Sequence, residues 1–265
     1  MLVAHRGGSA LAPENTMVAF RLATEMWWAD MLEMDARLTR DGHVVVIHDA
    51  TVDRTTNGTG PVADLTLLEI QALDAGYRFR DESGAHPYRG QGAVVPTLEE
   101  VLVTFKDVWI NVECKEPAVA TPLAALVARH GDEHRVLIAA ERESARLGAA
   151  GYHGPWGASL EQGLLFWILH ALPGGSPYTP RADILQVPEM WKGLRVVSPR
   201  FVRAAHRLNI PVQVWTVDRL EDMRRLLACG VDGIQTDRPD LLSGLLTELV
   251  GRPVPPGVPA RGAVV

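Results

Sequence analysis

Residues 31–60 read MLEMDARLTRDGHVVVIHDATVDRTTNGTG. Met31 to Thr39 begins apolar and then places Glu33, Asp35 and Arg37 at every second position. A β-strand has a side-chain period of two, so a strand here puts those three on one face. Two carboxylates on one strand face do not suit a plain core, because burying like charges together costs several kcal/mol unless a cation or hydrogen bonds compensate. A hard divalent cation with oxygen ligands is the natural compensation. Arg40-Asp41-Gly42 then makes a tight turn, and a second strand, His43 to Ile47, delivers His48-Asp49 to the same rim. Taken alone, a Glu-x-Asp strand is commonly a solvated face, and a histidine before an aspartate is commonly a surface or capping residue. The rest of the chain has to decide.

Outward from this stretch the texture changes twice. Residues 51–95 are rich in Thr, Asn, Gly and Asp, with one weak helix around Leu65 to Ala75 and the aromatics Tyr77, Phe79 and Tyr88. That is too long for a plain loop in a compact domain and reads as a small inserted lobe over the site. From Thr97 onward a regular rhythm sets in. Eight strand-then-helix units start at Leu2, Met31, Val108, Arg135, Trp156, Ile184, Val212 and Gly233. Short strands alternating with helices imply a parallel sheet, and eight units in this length match a closed (β/α)8 TIM barrel. The competing architecture is an open doubly wound sheet, but no glycine-rich dinucleotide fingerprint follows any strand.

Within that rhythm, Pro13 to about Trp28 reads as the first helix, capped by Asn15 or Thr16, with Val18, Leu22 and Met26 as its apolar stripe. Pro117 ends a strand at Glu113 before a helix from Ala118, Trp156 to Leu160 is a strand before a helix from Gly163 to Ala171, and Pro173 to Pro180 is a loop. Residues 1–250 form one domain, and the Pro/Gly-rich tail 251–265 is expected to be flexible.

Composition narrows the function classes. The 265 residues are 47% hydrophobic and 22% charged, with a net charge of −6. That balance is globular and argues against a nucleic-acid binder, which carries a basic stripe. Cys114 and Cys229 lie far apart and fit no ligand spacing, so a reducing, cytoplasmic setting is the expectation. The start, MLVAHRGG, lacks a signal-peptide pattern, and no apolar run approaches the roughly 18 residues of a membrane span.

A barrel gathers its catalytic residues at the C-terminal ends of its strands. Polar residues fall there: His5 and Arg6 after the first strand, Glu33 and Asp35 on the second, Glu113 and Lys115 at the end of the third, Trp215 at the seventh, Gln235 and Asp237 at the eighth, and His48 after the extra strand. Glu33, Asp35 and Glu113 make an oxygen site for Mg²⁺ or Ca²⁺. Arg6 and Lys115 bring positive charge against a phosphate, and His5 and His48 flank the site as acid and base. Each residue has an ordinary reading by itself: Glu113-Cys114-Lys115 as a strand end with a local ion pair, Trp215 as core or a rim plug.

The stretches AHRGGSALAPENT, LEMDARLTRDGHVVVIHDATVDRTTNGTG, VPTLEEVL, NVECK, VWTVD and GVDGIQTDRPD, in this order from Val3 to Asp240, resemble the glycerophosphodiester phosphodiesterase family. The resemblance implies a TIM barrel with a small insertion after the second strand. It also implies a divalent ion (Mg²⁺ or Ca²⁺, with Mn²⁺ possible) on Glu33, Asp35 and Glu113, catalytic histidines at His5 and His48, and phosphate contacts at Arg6 and Lys115. Trp215 joins them as a substrate-binding residue. The implied reaction is hydrolysis of a small glycerophosphodiester, such as glycerophosphocholine or glycerophosphoethanolamine, to sn-glycerol 3-phosphate and an alcohol. The match is weakest from Arg135 to Pro199, and Asp218 stands where the family commonly has Asn. An alternative is a lysophospholipase D-like activity on lysophospholipids, with Phe166 and Trp167 lining an acyl channel. A non-catalytic sensor is disfavoured by the presence of both histidines.

Overall fold

Strand alternation, read in three dimensions, separates a polar barrel interior from an apolar exterior. The computed structural model describes residues 1–149, 151–172 and 176–258. Its strands are β1 (Leu2–Ala4), β2 (Met31–Leu38), β3 (Val44–Val46), β4 (Trp109–Cys114), β5 (Val136–Ala139), β6 (Leu185–Pro188), β7 (Met190–Trp191), β8 (Leu194–Arg195), β9 (Val212–Trp215) and β10 (Gly233–Thr236). Parallel pairing runs in the order β5-β4-β2-β1-β10-β9-β6. Single bridges Ile138↔Trp156 and Gly157↔Ile184, both parallel, join the two ends. Trp156 and Gly157 thus occupy the eighth place and close the ring, as a TIM barrel requires.

On β2 and β4, Leu32, Met34, Ala36, Ile110, Val112 and Cys114 face outward into the main apolar core, where they meet Phe20, Leu98, Leu123, Phe201 and Leu242 of the surrounding helices. The alternate positions are the buried polar ones: Glu33, Asp35 and Asn111, joined by Gln213 and Gln235. Gln186 donates to Gln213 at 3.0 Å inside the barrel.

The helices are α1 (Met17–Arg21), α2 (Leu67–Gln71), α3 (Leu98–Thr104), α4 (Pro117–His130), α5 (Glu143–Leu147), α6 (Leu160–Leu169), α7 (Pro199–His206), α8 (Leu220–Ala228) and α9 (Pro239–Val250). Local signals explain their starts. Thr97 and Glu100 form a reciprocal capping box on α3, as Thr66 and Glu69 do on α2, satisfying backbone N–H groups that would otherwise be orphaned. Ser159 caps α6 and Ser198 caps α7.

Several expectations are corrected. The first helix starts only at Met17, with Thr16 as its cap, and passes into a π-helical turn over Leu22–Met26. Its buried face is Ala19, Phe20 and Ala23, while Val18 is exposed. Pro117 does not end a strand; it is the first residue of α4, where its missing N–H costs nothing. The fifth strand is reduced to the two bridging residues, and α6 begins at Leu160. An antiparallel hairpin, β7–β8, lies between β6 and α7; its turn has Lys192 and Gly193 both at positive φ. The tail is anchored over its first residues: Arg252 pairs with Asp30 at 2.8 Å and the Gly257 amide donates to Met26 at 2.9 Å. Residues 259–265, and 173–175 of the expected loop, lie outside the described residues.

Residues 51–95 have a small core of their own, in which Val52, Val62, Ile70, Ala75 and Val95 pack on Val45 and Ile47. The segment is reached through β3, which pairs with the C-terminal end of β2. It touches the barrel again where Glu82 meets Arg238, just after β10, at 2.9 Å. No helix among the described residues is long and apolar enough to cross a membrane.

Candidate active site

Register assembles the acids. β2 and β4 pair with Asp35 opposite Glu113 and Glu33 opposite Asn111, so both strands point carboxylates inward at one level. One oxygen each from Glu33, Asp35 and Glu113 lies within 4.8 Å of the others. Glu33 and Asp35 are almost fully buried, whereas Glu113 is partly open.

The first strand exits through a left-handed turn that begins at Arg6, φ 50°, and continues through two glycines. Gly7 and Gly8 have φ of 84° and 91°, and a Cβ on Gly7 would stand 2.7 Å from Ala19 Cβ. This bend brings the Arg6 amide to Glu33 at 2.9 Å and the Arg6 guanidinium to within 3.3 Å of Asp35. Asn15, expected as a possible helix cap, instead adopts a left-handed conformation with φ 57°, which Asn tolerates well. It donates from Nδ2 to Asp35 at 2.8 Å and accepts from the Asp35 amide at 3.3 Å.

The electrostatics are those of an acid-rich site partly offset by cations. Lys115 Nζ bridges Asp35 at 2.9 Å and Glu113 at 2.8 Å. Burial pushes the Asp35 carboxyl up, but Lys115, Arg6 and Asn15 outweigh it and hold the group below its ordinary value. Glu33 has no such surplus of cations, so burial first, and then Asp35, raise its pKa well above the usual carboxylate range. Burial by itself would lower His5, but Glu33 and Asp237 reverse that and raise it to about 9.

The two histidines are held differently. His5 Nδ1 lies 2.7 Å from Asp237 Oδ1, with Nε2 turned to Glu33 at 3.9 Å. His48 follows β3, whose antiparallel pairing of Val46 with Ala36 carries it back to Asp35. Its Nδ1 is 2.6 Å from Asp49, and Arg37 donates to its carbonyl at 2.8 Å. In both cases a carboxylate on Nδ1 fixes the tautomer and leaves Nε2 for the site.

His5, Arg6, Glu33, Asp35, His48, Glu113 and Lys115 therefore meet. Trp215 stands on the rim at the end of β9, 42% exposed, placed there by strand position rather than by a hydrogen bond to the cluster among the described residues. Arg37 lies on the same strand face but is spent on His48 and, at 3.9 Å, Glu116. Sequence reasoning gave no place in the site to Glu14, Asn15 or Arg54 and no role to Asp49 or Asp237, and these five orient the named residues. Asp237 carried the one available signal, its place at the end of a barrel strand. Phe166, offered as an acyl-channel residue, is fully buried against Phe201 and His170, so the lysophospholipid alternative loses that residue.

Comparison with known proteins now bears on this geometry. The model of the glycerophosphoryl diester phosphodiesterase family matches residues 5–137 and 171–241. This chain belongs to that family. It is 37% identical over 253 residues to a glycerophosphodiester phosphodiesterase of Caldanaerobacter subterraneus subsp. tengcongensis, covering 93% of this chain and 97% of the relative. The crystal structure of the Agrobacterium tumefaciens glycerophosphodiester phosphodiesterase superposes with a TM-score of 0.74 at 30% identity, covering 92% of this chain and 98% of that one. An Oleispira antarctica phosphodiesterase, solved with the product sn-glycerol-3-phosphate, shares the fold with a TM-score of 0.74 at 22% identity over 92% and 96% of the two chains. Family membership makes the chain an enzyme and a phosphoric diester hydrolase, and removes the sensor reading.

Proposed function

We propose that the protein is a divalent-metal-dependent hydrolase of glycerophosphodiesters, such as glycerophosphocholine or glycerophosphoethanolamine, that releases sn-glycerol 3-phosphate and an alcohol. The observation that carries this is the register of β2 on β4, which gathers three carboxylates between two histidines and two cationic side chains. The donor set fits a hard cation: three oxygen ligands, two of them buried, with Glu33 short of positive charge. Glu33, Asp35 and Glu113 would hold Mg²⁺, Ca²⁺ or Mn²⁺, which when bound supplies Lewis-acid charge against the phosphate oxygens.

The chain's own groups account for positioning and proton transfer. Arg6 Nε lies 3.3 Å from Asp35 Oδ2 without hydrogen-bond geometry, so the guanidinium pairs electrostatically with that carboxylate and keeps donor capacity for a phosphate oxygen. Lys115, held between Asp35 and Glu113, presents the second positive charge. One histidine takes the proton from the attacking hydroxyl while the other gives one to the departing alcohol oxygen. We place the substrate's own hydroxyl, on the carbon beside the phosphoester, as the attacking group, because intramolecular attack has a large entropic advantage. A P–O bond then forms to that hydroxyl as the P–O bond to the alcohol breaks. The histidines exchange roles, and water opens the cyclic phosphate. Trp215, on the rim, contacts the substrate, and residues 51–95 tune its entry.

Turnover by purified protein tests the reading. Glycerophosphodiesters and lysophospholipids are offered with Mg²⁺, Ca²⁺, Mn²⁺ or EDTA, and glycerol 3-phosphate and lysophosphatidate are assayed. Glycerol 3-phosphate formation that EDTA abolishes is expected; full turnover after exhaustive chelation sinks the metal reading. A 2-deoxy analogue of glycerophosphocholine that turns over as fast as the parent rules out the cyclic route.

A further inference from the structure

We propose that Arg54, in the segment after β3, is a positioning residue that sets His48 and Arg6 together; the inference rests on the reading of those two as working groups. All three nitrogens of its guanidinium are engaged. Nε donates to Asp49 Oδ2 at 2.6 Å and Nη2 to Asp49 Oδ1 at 3.2 Å, while Nη1 and Nη2 donate to Glu14 Oε2 and Oε1 at 2.6 and 2.8 Å. It forks two carboxylates at once.

Each carboxylate goes on to a different site residue. Asp49 Oδ1 lies 2.6 Å from His48 Nδ1, and Glu14 Oε1 accepts from Arg6 Nη1 at 3.1 Å. A continuous chain therefore runs His48–Asp49–Arg54–Glu14–Arg6 and ends at Asp35. The Arg54 hydrogen bonds, more than any other cause, depress the Asp49 carboxyl to about 2, so Asp49 remains an acceptor for His48 across the working pH range.

Stability is a poor account of this arrangement. Arg54 is 48% exposed on its side chain, where water screens its ion pairs and reduces what they add to stability. Geometry is a better account. His48 is partly exposed and follows a strand of three residues, and its ring is tied only through Asp49 among the described residues. If Asp49 swings, so does the imidazole. Guanidinium is the side chain suited to the task, since a lysine ammonium has one nitrogen and no planar fork.

The test compares Arg54→Ala, Arg54→Lys and His48→Ala as purified full-length chains with Mg²⁺, using glycerophosphocholine as substrate. Both Arg54 variants are expected to lose roughly 10- to 100-fold in kcat, the usual cost of removing a group that orients a catalytic one. KM should change far less, and the far-ultraviolet circular dichroism and melting temperature should stay near those of the parent. Added methylguanidinium should restore part of the kcat of Arg54→Ala and none of that of His48→Ala. A near-parental kcat in Arg54→Ala beside an inactive His48→Ala overturns the positioning role alone. So does a loss that tracks the unfolded fraction and is not rescued. A fully active His48→Ala overturns instead the catalytic reading on which it rests.

Discussion

The two sides of the barrel are built on different principles. On the side of β1, β2 and β4, ionisable side chains face each other, and most are answered by a partner: Asp35 by Lys115, Arg6 and Asn15, His5 by Asp237, His48 by Asp49. Across the ring, between β5 and β6, the sheet is only a two-residue bridge at Trp156 and Gly157. That side relies on packing, with Phe166 between Phe201 and His170 and Tyr152 edge-on to Trp156. The charged side is specified by direction and register, because hydrogen bonds tolerate little misplacement. The packed side is specified by volume, and apolar contacts accept many sequences of similar bulk.

This contrast breaks most clearly in activity. His5→Ala and His48→Ala should each lower kcat by roughly 10²–10⁴-fold, the usual worth of a positioned acid or base, with the fold intact by circular dichroism. Glu33→Gln, Asp35→Asn or Glu113→Gln should each remove most turnover. Phe166→Ala should do the reverse: about 3–5 kcal/mol of stability lost through the cavity it leaves, read by urea denaturation, with turnover per folded molecule unchanged. If Phe166→Ala abolishes turnover at full folded fraction, the division of labour is wrong.

The charged side should also give stability a pH dependence that the packed side lacks. In ion-free protein His5 is raised from 6.5 to about 9, so the stability its charge brings is complete below pH 6.5 and fades as pH rises through 9. Glu33 is raised as well; the folded state binds its proton more tightly than the unfolded state, so its ionisation also costs stability as pH rises. Both act in the same direction. The melting temperature in EDTA should therefore fall by a few degrees between pH 6.5 and 9, and Glu33→Gln should flatten that slope while removing activity. A melting temperature that rises over this window contradicts the assignment.

The smallest effect concerns the outward face of β4. Cys114 follows Glu113 but points into the apolar layer, where burial pushes its thiol up to about 11. A thiol reagent at pH 8 should react with Cys229, which is partly exposed, and leave Cys114 untouched until the protein unfolds. Rapid modification of both in the folded state would show that β4 is read with the wrong face inward.

Legible in the chain alone were the alternation of strand and helix, the parity of Glu33 and Asp35, the cap at Thr97, and the seven residues that meet at the site. These are local properties: a period of two, a hydroxyl before a helix, glycines at a sharp turn. The partners that make those residues usable emerge only once the chain is folded. Asp237 reaches His5 across 232 positions, Arg54 reaches Glu14 across 40, and Asn15, ahead of the first helix, holds Asp35 across 20. Nor does local pattern reveal that the fifth strand would shrink to two residues, or that Phe166 would point into the core. Those outcomes depend on strand register and on how the elements fill the remaining space, and both are set by contacts between residues far apart in the chain.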